Sequence, residues 1–335
     1  MNNTMGFGVV LLLAVAFTAC AQQYDSENDF KYRIENGGVI ITEYLGTKKQ
    51  VRIPPKIQGL PVTVIGYDDN SGRGAFQDKQ LTSVIIPNSV TEILTGAFAK
   101  NNLTSVTIPN SVTVLSGFYE NPLTSITIPN SVTVIGGLAF DSCQLTSIVI
   151  PNSVTYLGGF GFNKLTSITI PNSVITIEHG AFMNNNLTSI TIPDSVTEIE
   201  EWAFANNQLT SVTIGNSVTK IGEKAFGDNQ LTSVTILDSV TEIGQSAFRN
   251  NQLTSVTIGN SVTKIGDKAF EDNPLTSVTI GAGHDFLIAN YLPFSLVINK
   301  YTYKIIIGKD FEAFYEKQGR KAGTYTYSNG SWSLN

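Results

Sequence analysis

The sequence predicts a β-rich solenoid of stacked coils with a cap at each end. Three observations predict it. A block opening Leu-Thr-Ser recurs ten times, beginning at Leu81, Leu103, Leu123, Leu145, Leu165, Leu187, Leu209, Leu231, Leu253 and Leu275. The spacing is 22 residues, except for 20 after Leu103 and after Leu145; a fixed period of this length marks a solenoid. Only 14% of the 335 residues are charged, with Ser, Thr and Asn carrying most of the polarity, so each coil is expected to find its stability against its neighbours.

Residues 1–20 read as an export signal. Gly6 to Ala16 is apolar, uncharged and too short for a comfortable membrane span. It ends in Phe17-Thr18-Ala19-Cys20, which resembles a lipobox. That makes Cys20 the expected lipidation site and a membrane the expected partner of the anchored end. A signal peptide cut at Ala19 or Ala21 would release the chain instead. The only other cysteine is Cys143, so a lipidated Cys20 rules out a disulfide.

Residues 21–80 are expected to form an N-terminal cap with a degenerate first coil. Tyr67–Gly74 interrupts that coil. Its Asp68-x-Asn70-x-Gly72 lacks the closing Glu of a calcium loop, so it reads as a solvated loop and no metal is assigned.

Residues 81–280 are the array. In the coil Leu231–Gln252, Leu231, Val234 and Ile236 follow the L-x-x-L-x-L spacing of an inner-wall strand in a leucine-rich-repeat solenoid. Alternation turns Ser233 and Thr235 outward. Ser239–Gly244 reads as a turn plus a second short extended piece on the outer wall. Ala247-Phe248 reads as a brief helical or 3₁₀ turn, and its recurring Phe predicts a stacked aromatic spine. Pro follows the strand at 87, 109, 129, 151, 171 and 193; Gly215, Gly259 and Gly281 take its place later, and Leu237 once. Two residues before most of the Leu-Thr-Ser blocks stands an Asn, from Asn101 to Asn273, predicting a buried amide ladder. Cys143 holds that place once and reads as a structural thiol.

These residues carry a resemblance. Leu-Thr-Ser-Val-Thr-Ile-Pro-Asn-Ser-Val-Thr-x-Ile-Gly and the Ala-Phe pair, over about Phe30 to Ile280, are similar to the BspA-like class of bacterial leucine-rich-repeat surface proteins. Gly37–Tyr44 and Gly59–Gly66 look like that family's opening cap and first coil. The resemblance implies export and attachment to proteins or glycoproteins of host matrix, plasma or other cells.

Residues 281–335 are expected to form a C-terminal α+β cap. Asp310–Gln318 reads as a short helix ended by Gly319. Asn329-Gly330 predicts a hairpin that pairs Tyr327 with Trp332 and Tyr325 with Leu334.

Net charge is −6 with no basic run, which excludes the electrostatic footprint of a nucleic-acid binder. His179 and His284 are isolated, no nucleophile elbow or phosphate loop appears, and no cofactor or catalytic residue is assigned. Function is therefore expected on surfaces. One is the hydroxyl face, with Ser189, Thr191, Ser211, Thr213, Ser233 and Thr235 as its binding candidates. Many weak contacts there would suit a repetitive partner; an ice-like lattice suits a curved wall badly. The other is a row reading Val114, Val134 and Tyr156, then Glu198, Lys220, Glu242 and Lys264. With Tyr119 and Phe160 near the shortened coils, it makes a candidate protein-contact patch. The alternative to adhesion is a scaffolding role with a partner from the same cell.

Overall fold

The computed structural model describes residues 23–280, together with 295–296, 305–306, 323–328 and 331–334. The export signal, Cys20 and the helix expected at Asp310–Gln318 lie outside the described residues.

The array is a leucine-rich-repeat β-solenoid. Its backbone is a 13-stranded sheet. It opens with the antiparallel pair Phe30–Glu35 and Gly38–Tyr44 and continues through Leu60–Ile65. From there one two-residue strand per coil follows, from Glu92–Ile93 to Lys264–Ile265, all parallel. Ile93, Leu115, Ile135, Leu157, Ile177, Ile199, Ile221, Ile243 and Ile265 point into the core from it.

This corrects the expected strand placement. The strand present in every coil is the second extended piece, not Leu-x-x-Val-x-Ile. On the Leu-Thr-Ser wall, pairing is patchy. Gln50–Arg52 pairs Ser83–Ile85, and Ser189–Thr191 pairs Ser211–Thr213. Ser233–Ile236, Ser255–Ile258 and Ser277–Ile280 form a third group. The corner residue explains most of the pattern. A strand closes onto the preceding coil where Gly215, Gly259 or Gly281 follows it, and stays apart from it where Pro109, Pro129, Pro151, Pro171, Pro193 or Leu237 does. Gly215 packs so tightly that a Cβ would strike the carbonyl of Pro193; Gly259 does the same against Leu237. Pro brings a ring instead and removes a ladder donor. Where pairing fails, Val106, Ile126, Ile148 and Ile168 are only partly buried.

The Ala-Phe turn is not helical either. Trp202, Lys224, Ser246 and Lys268 have φ of 60°, 50°, 54° and 58°, a left-handed conformation that stops a helix after one turn. The turn closes instead by bonds such as Ala225 N–H to Gly222 O and Gly227 N–H to Lys224 O.

Two ladders run through the core. From Phe76 through Phe98, Phe118, Phe140, Phe160, Phe182, Phe204, Phe226 and Phe248 to Phe270, rings stack with centroids 4.9–5.8 Å apart. The expected amide ladder lies beside it. Asn207 Oδ1 accepts from Leu187 N at 3.0 Å, and its Nδ2 donates to the carbonyls of Phe182 at 2.9 Å and Phe204 at 3.2 Å. Cys143 fills the same buried place with one weak bond, Sγ to Phe118 O at 3.5 Å, and burial pushes its thiol up to about 11.

After Ile280 the hairpin Gly323–Ser328 and Ser331–Leu334 pairs onto Ser277–Ile280 with Tyr327 opposite Trp332 and Tyr325 opposite Leu334. That is the register expected from Asn329-Gly330.

Candidate functional site

The sheet register fixes one outward row: Glu92, Val114, Val134, Tyr156, Thr176, Glu198, Lys220, Glu242, Lys264. Each strand is a dipeptide whose second residue is buried, so pleating turns the first outward. The sequence placed Val114, Val134 and Tyr156 at the position of the charged residues, and the structure brings all of them into line. Lys264 Nζ closes on Glu242 Oε1 at 2.6 Å.

Within this row Val114 and Val134 are half-buried, and Tyr156 is 38% exposed. Ile175 lies beside them, its N–H bonded to Thr155 O, and is 50% exposed. In most other coils the place of Ile175 is a Thr whose hydroxyl bonds the main chain of the coil before, as Thr219 Oγ1 does to Thr197 O. Sequence reasoning missed Ile175, although an apolar residue in a column of threonines was the available signal. The same signal marks Val149, 81% exposed in the hydroxyl face.

Phe160 does not belong to the patch. It is fully buried and stacks between Phe140 and Phe182. Its coil is two residues short just before the ring, but Gly159, at φ 73°, tightens the turn enough to keep Phe160 in the spine. Tyr119, in the other short coil, is half-buried, and its carbonyl accepts from Lys100 N at 3.0 Å. The structure does not join it to Tyr156 in one row.

The charge beside the row is acidic. A depression of about 250 Å³ is lined by His179, Glu198, Glu200, Glu201 and Lys220. His179 Nδ1 lies 3.6 Å from Glu201. Glu178 reaches back over Gly158 in the preceding coil, where a Cβ would collide with it. The Glu178 carboxylate engages the Tyr156 hydroxyl, and with desolvation it pushes Tyr156 up to about 12.

On the Leu-Thr-Ser wall, Ser189, Thr191, Ser211, Thr213, Ser233 and Thr235 are all exposed. Ser189 aligns with Ser211 and Thr191 with Thr213. Ile168, Ser189, Thr191, Thr213 and Leu237 line an open groove of about 710 Å³ that crosses four coils. It sits where pairing is interrupted on either side of Ser189–Thr191 and Ser211–Thr213.

Stacked short strands, a core of recurring Leu and Phe and a buried Asn ladder define a leucine-rich-repeat protein. The family model of the BspA type leucine rich repeat region matches residues 69–163, 115–229 and 160–277. The chain belongs to that family. Among solved structures, it is similar to a leucine-rich repeat protein from Bacteroides ovatus, with 26% identity, 79% of each chain covered and a TM-score of 0.55. A leucine rich cell surface protein from Faecalibacterium prausnitzii shares 24% identity over 78% of this chain and 95% of that one, with a TM-score of 0.37. A T. pallidum leucine rich repeat protein shares 23% identity over 62% of this chain and 89% of that one, with a TM-score of 0.39. No curated protein matches the chain.

Proposed function

We propose that this protein is an adhesin-like binding protein, exported and displayed at the bacterial surface through a lipid on Cys20. It presents its solenoid to proteins or glycoproteins of host matrix, plasma or neighbouring cells. The observation that carries the reading is the row Val114–Val134–Tyr156 with Ile175 beside it. Tyr156 and Ile175 stand exposed, beside half-buried Val114 and Val134, on a sheet face that carries hydroxyls and charges in the other coils. Exposed apolar surface with a polar rim is characteristic of a protein contact. Membership of a repeat family built for protein interaction supports it. The hydroxyl groove of the Leu-Thr-Ser wall offers a second, weaker surface suited to a repetitive partner.

The test is a solid-phase assay of the mature protein against matrix, plasma and cell-surface ligands. Saturable binding to at least one is expected. Binding only to a partner from the same cell would instead favour a scaffold. Intact mass of the membrane-extracted protein should show acyl chains on Cys20, and an unmodified chain would mean a released form.

A further inference from the structure

The second shortened coil has a repair that no other joint among the described residues uses. In full-length coils the residue after the spine Phe donates its N–H to the carbonyl three residues back, as Ala99 does to Gly96, Met183 to Gly180, Ala205 to Trp202 and Arg249 to Ser246. The shortening at Gly158-Gly159 removes that acceptor for Gly161. Asp141, from the coil before, takes its place: its Oδ1 accepts from Gly161 N at 2.9 Å. On the same side Glu178, from the coil after, lies across Gly158, and its Oε2 is buried with no hydrogen-bond donor. Two carboxyl groups from the flanking coils thus clamp one short coil.

We propose that this clamp makes the joint pH-sensitive, the folded stack being more stable when Asp141 and Glu178 are protonated than when they are charged. A carboxylate oxygen buried without a donor is costly as an anion and cheap as an acid. The surrounding groups add to that cost. Asp141 and Glu178 repel each other, and Glu200 from the next coil repels Glu178. His179, which lies against Glu201, offsets them in part only when it is protonated. The Tyr156 hydroxyl acts the other way, donating to Glu178 and favouring its charged form. On the coil before Asp141, Glu120 is occupied by Lys100 at 3.4 Å.

Burial and then the Glu178 charge raise Asp141 to about 6, against the opposing bond from Gly161. Burial raises Glu178 as well, against the bond from Tyr156. Both shifts are upward, so the folded state binds protons more readily than the unfolded chain. Stability should therefore grow as pH falls through about 6, the gain being complete near the ordinary carboxyl range of about 4.

The experiment is thermal unfolding of residues 21–335 at pH 7.5 and pH 5.0 for wild type, Asp141→Asn, Glu178→Gln and Glu35→Gln. Asn keeps the acceptor for Gly161 but carries no charge. Wild type should melt higher at pH 5.0. Asp141→Asn and Glu178→Gln should each melt higher than wild type at pH 7.5 and show a smaller rise on acidification. Glu35→Gln, an exposed carboxyl far from the joint, controls for net charge and should keep the full rise. A wild-type Tm that is flat or falls on acidification overturns the proposal. So does an equal rise in all four proteins. If Asp141→Asn fails to fold, the Glu178→Gln comparison decides alone.

Discussion

The residue that most constrains this solenoid is polar. Each ladder Asn satisfies a Leu N–H in the preceding coil with its oxygen and Phe carbonyls of two coils with its nitrogen. Losing it strands several buried main-chain groups at once, and an unsatisfied buried group costs about 1–3 kcal/mol. Asn207→Ala should therefore destabilise the array by at least that amount, read as a fall in Tm or urea midpoint. Cys143 shows the milder natural version: Leu123 N turns to Asn121 O at 2.8 Å in place of a ladder amide. Its raised thiol predicts slow labelling by a thiol reagent at pH 8 until the chain unfolds, whereas rapid native labelling would place it at an opening in the stack.

Among the strands, the corner residue accounts for most of where neighbouring segments zip together, Ser83–Ile85 before Pro87 being the exception. Gly215 and Gly259 admit close approach of the preceding coil's backbone. Gly215→Ala should push Ser211–Thr213 away from Ser189–Thr191 and cost about 1–3 kcal/mol, as overpacking does, with faster hydrogen exchange in those two strands as the direct readout. The period, the spine and the amide ladder were legible in the sequence because each is a recurring residue type with one structural job. Which extended piece makes the unbroken sheet was not. Val-Thr-Glu-Ile and Leu-Thr-Ser-Val-Thr-Ile alternate equally well, and the difference lies in a Pro ring after the second. Phe160 was misread for a related reason: its coil is short by two residues, and only three-dimensional register shows that Gly159 absorbs the loss. Tyr156 and Val134 were placed correctly because they occupy a column whose other members are charged.

Taken whole, the molecule couples a core that hardly varies to a face that does. Changing the face should leave the core untouched. Tyr156→Ser combined with Val134→Ser should weaken ligand binding in the solid-phase assay while Tm holds; a large drop in Tm would return those side chains to the core. The charged end of the same row carries a consequence of another kind. Glu198, Lys220, Glu242 and Lys264 alternate along the stack, so removing residues 209–230 would set Glu198 against Glu242, while removing 209–252 would set it against Lys264. Each mismatch is worth only a few tenths of a kcal/mol. It still gives the array a parity: here, duplication or loss in twos preserves the electrostatic match, and a change by one breaks it.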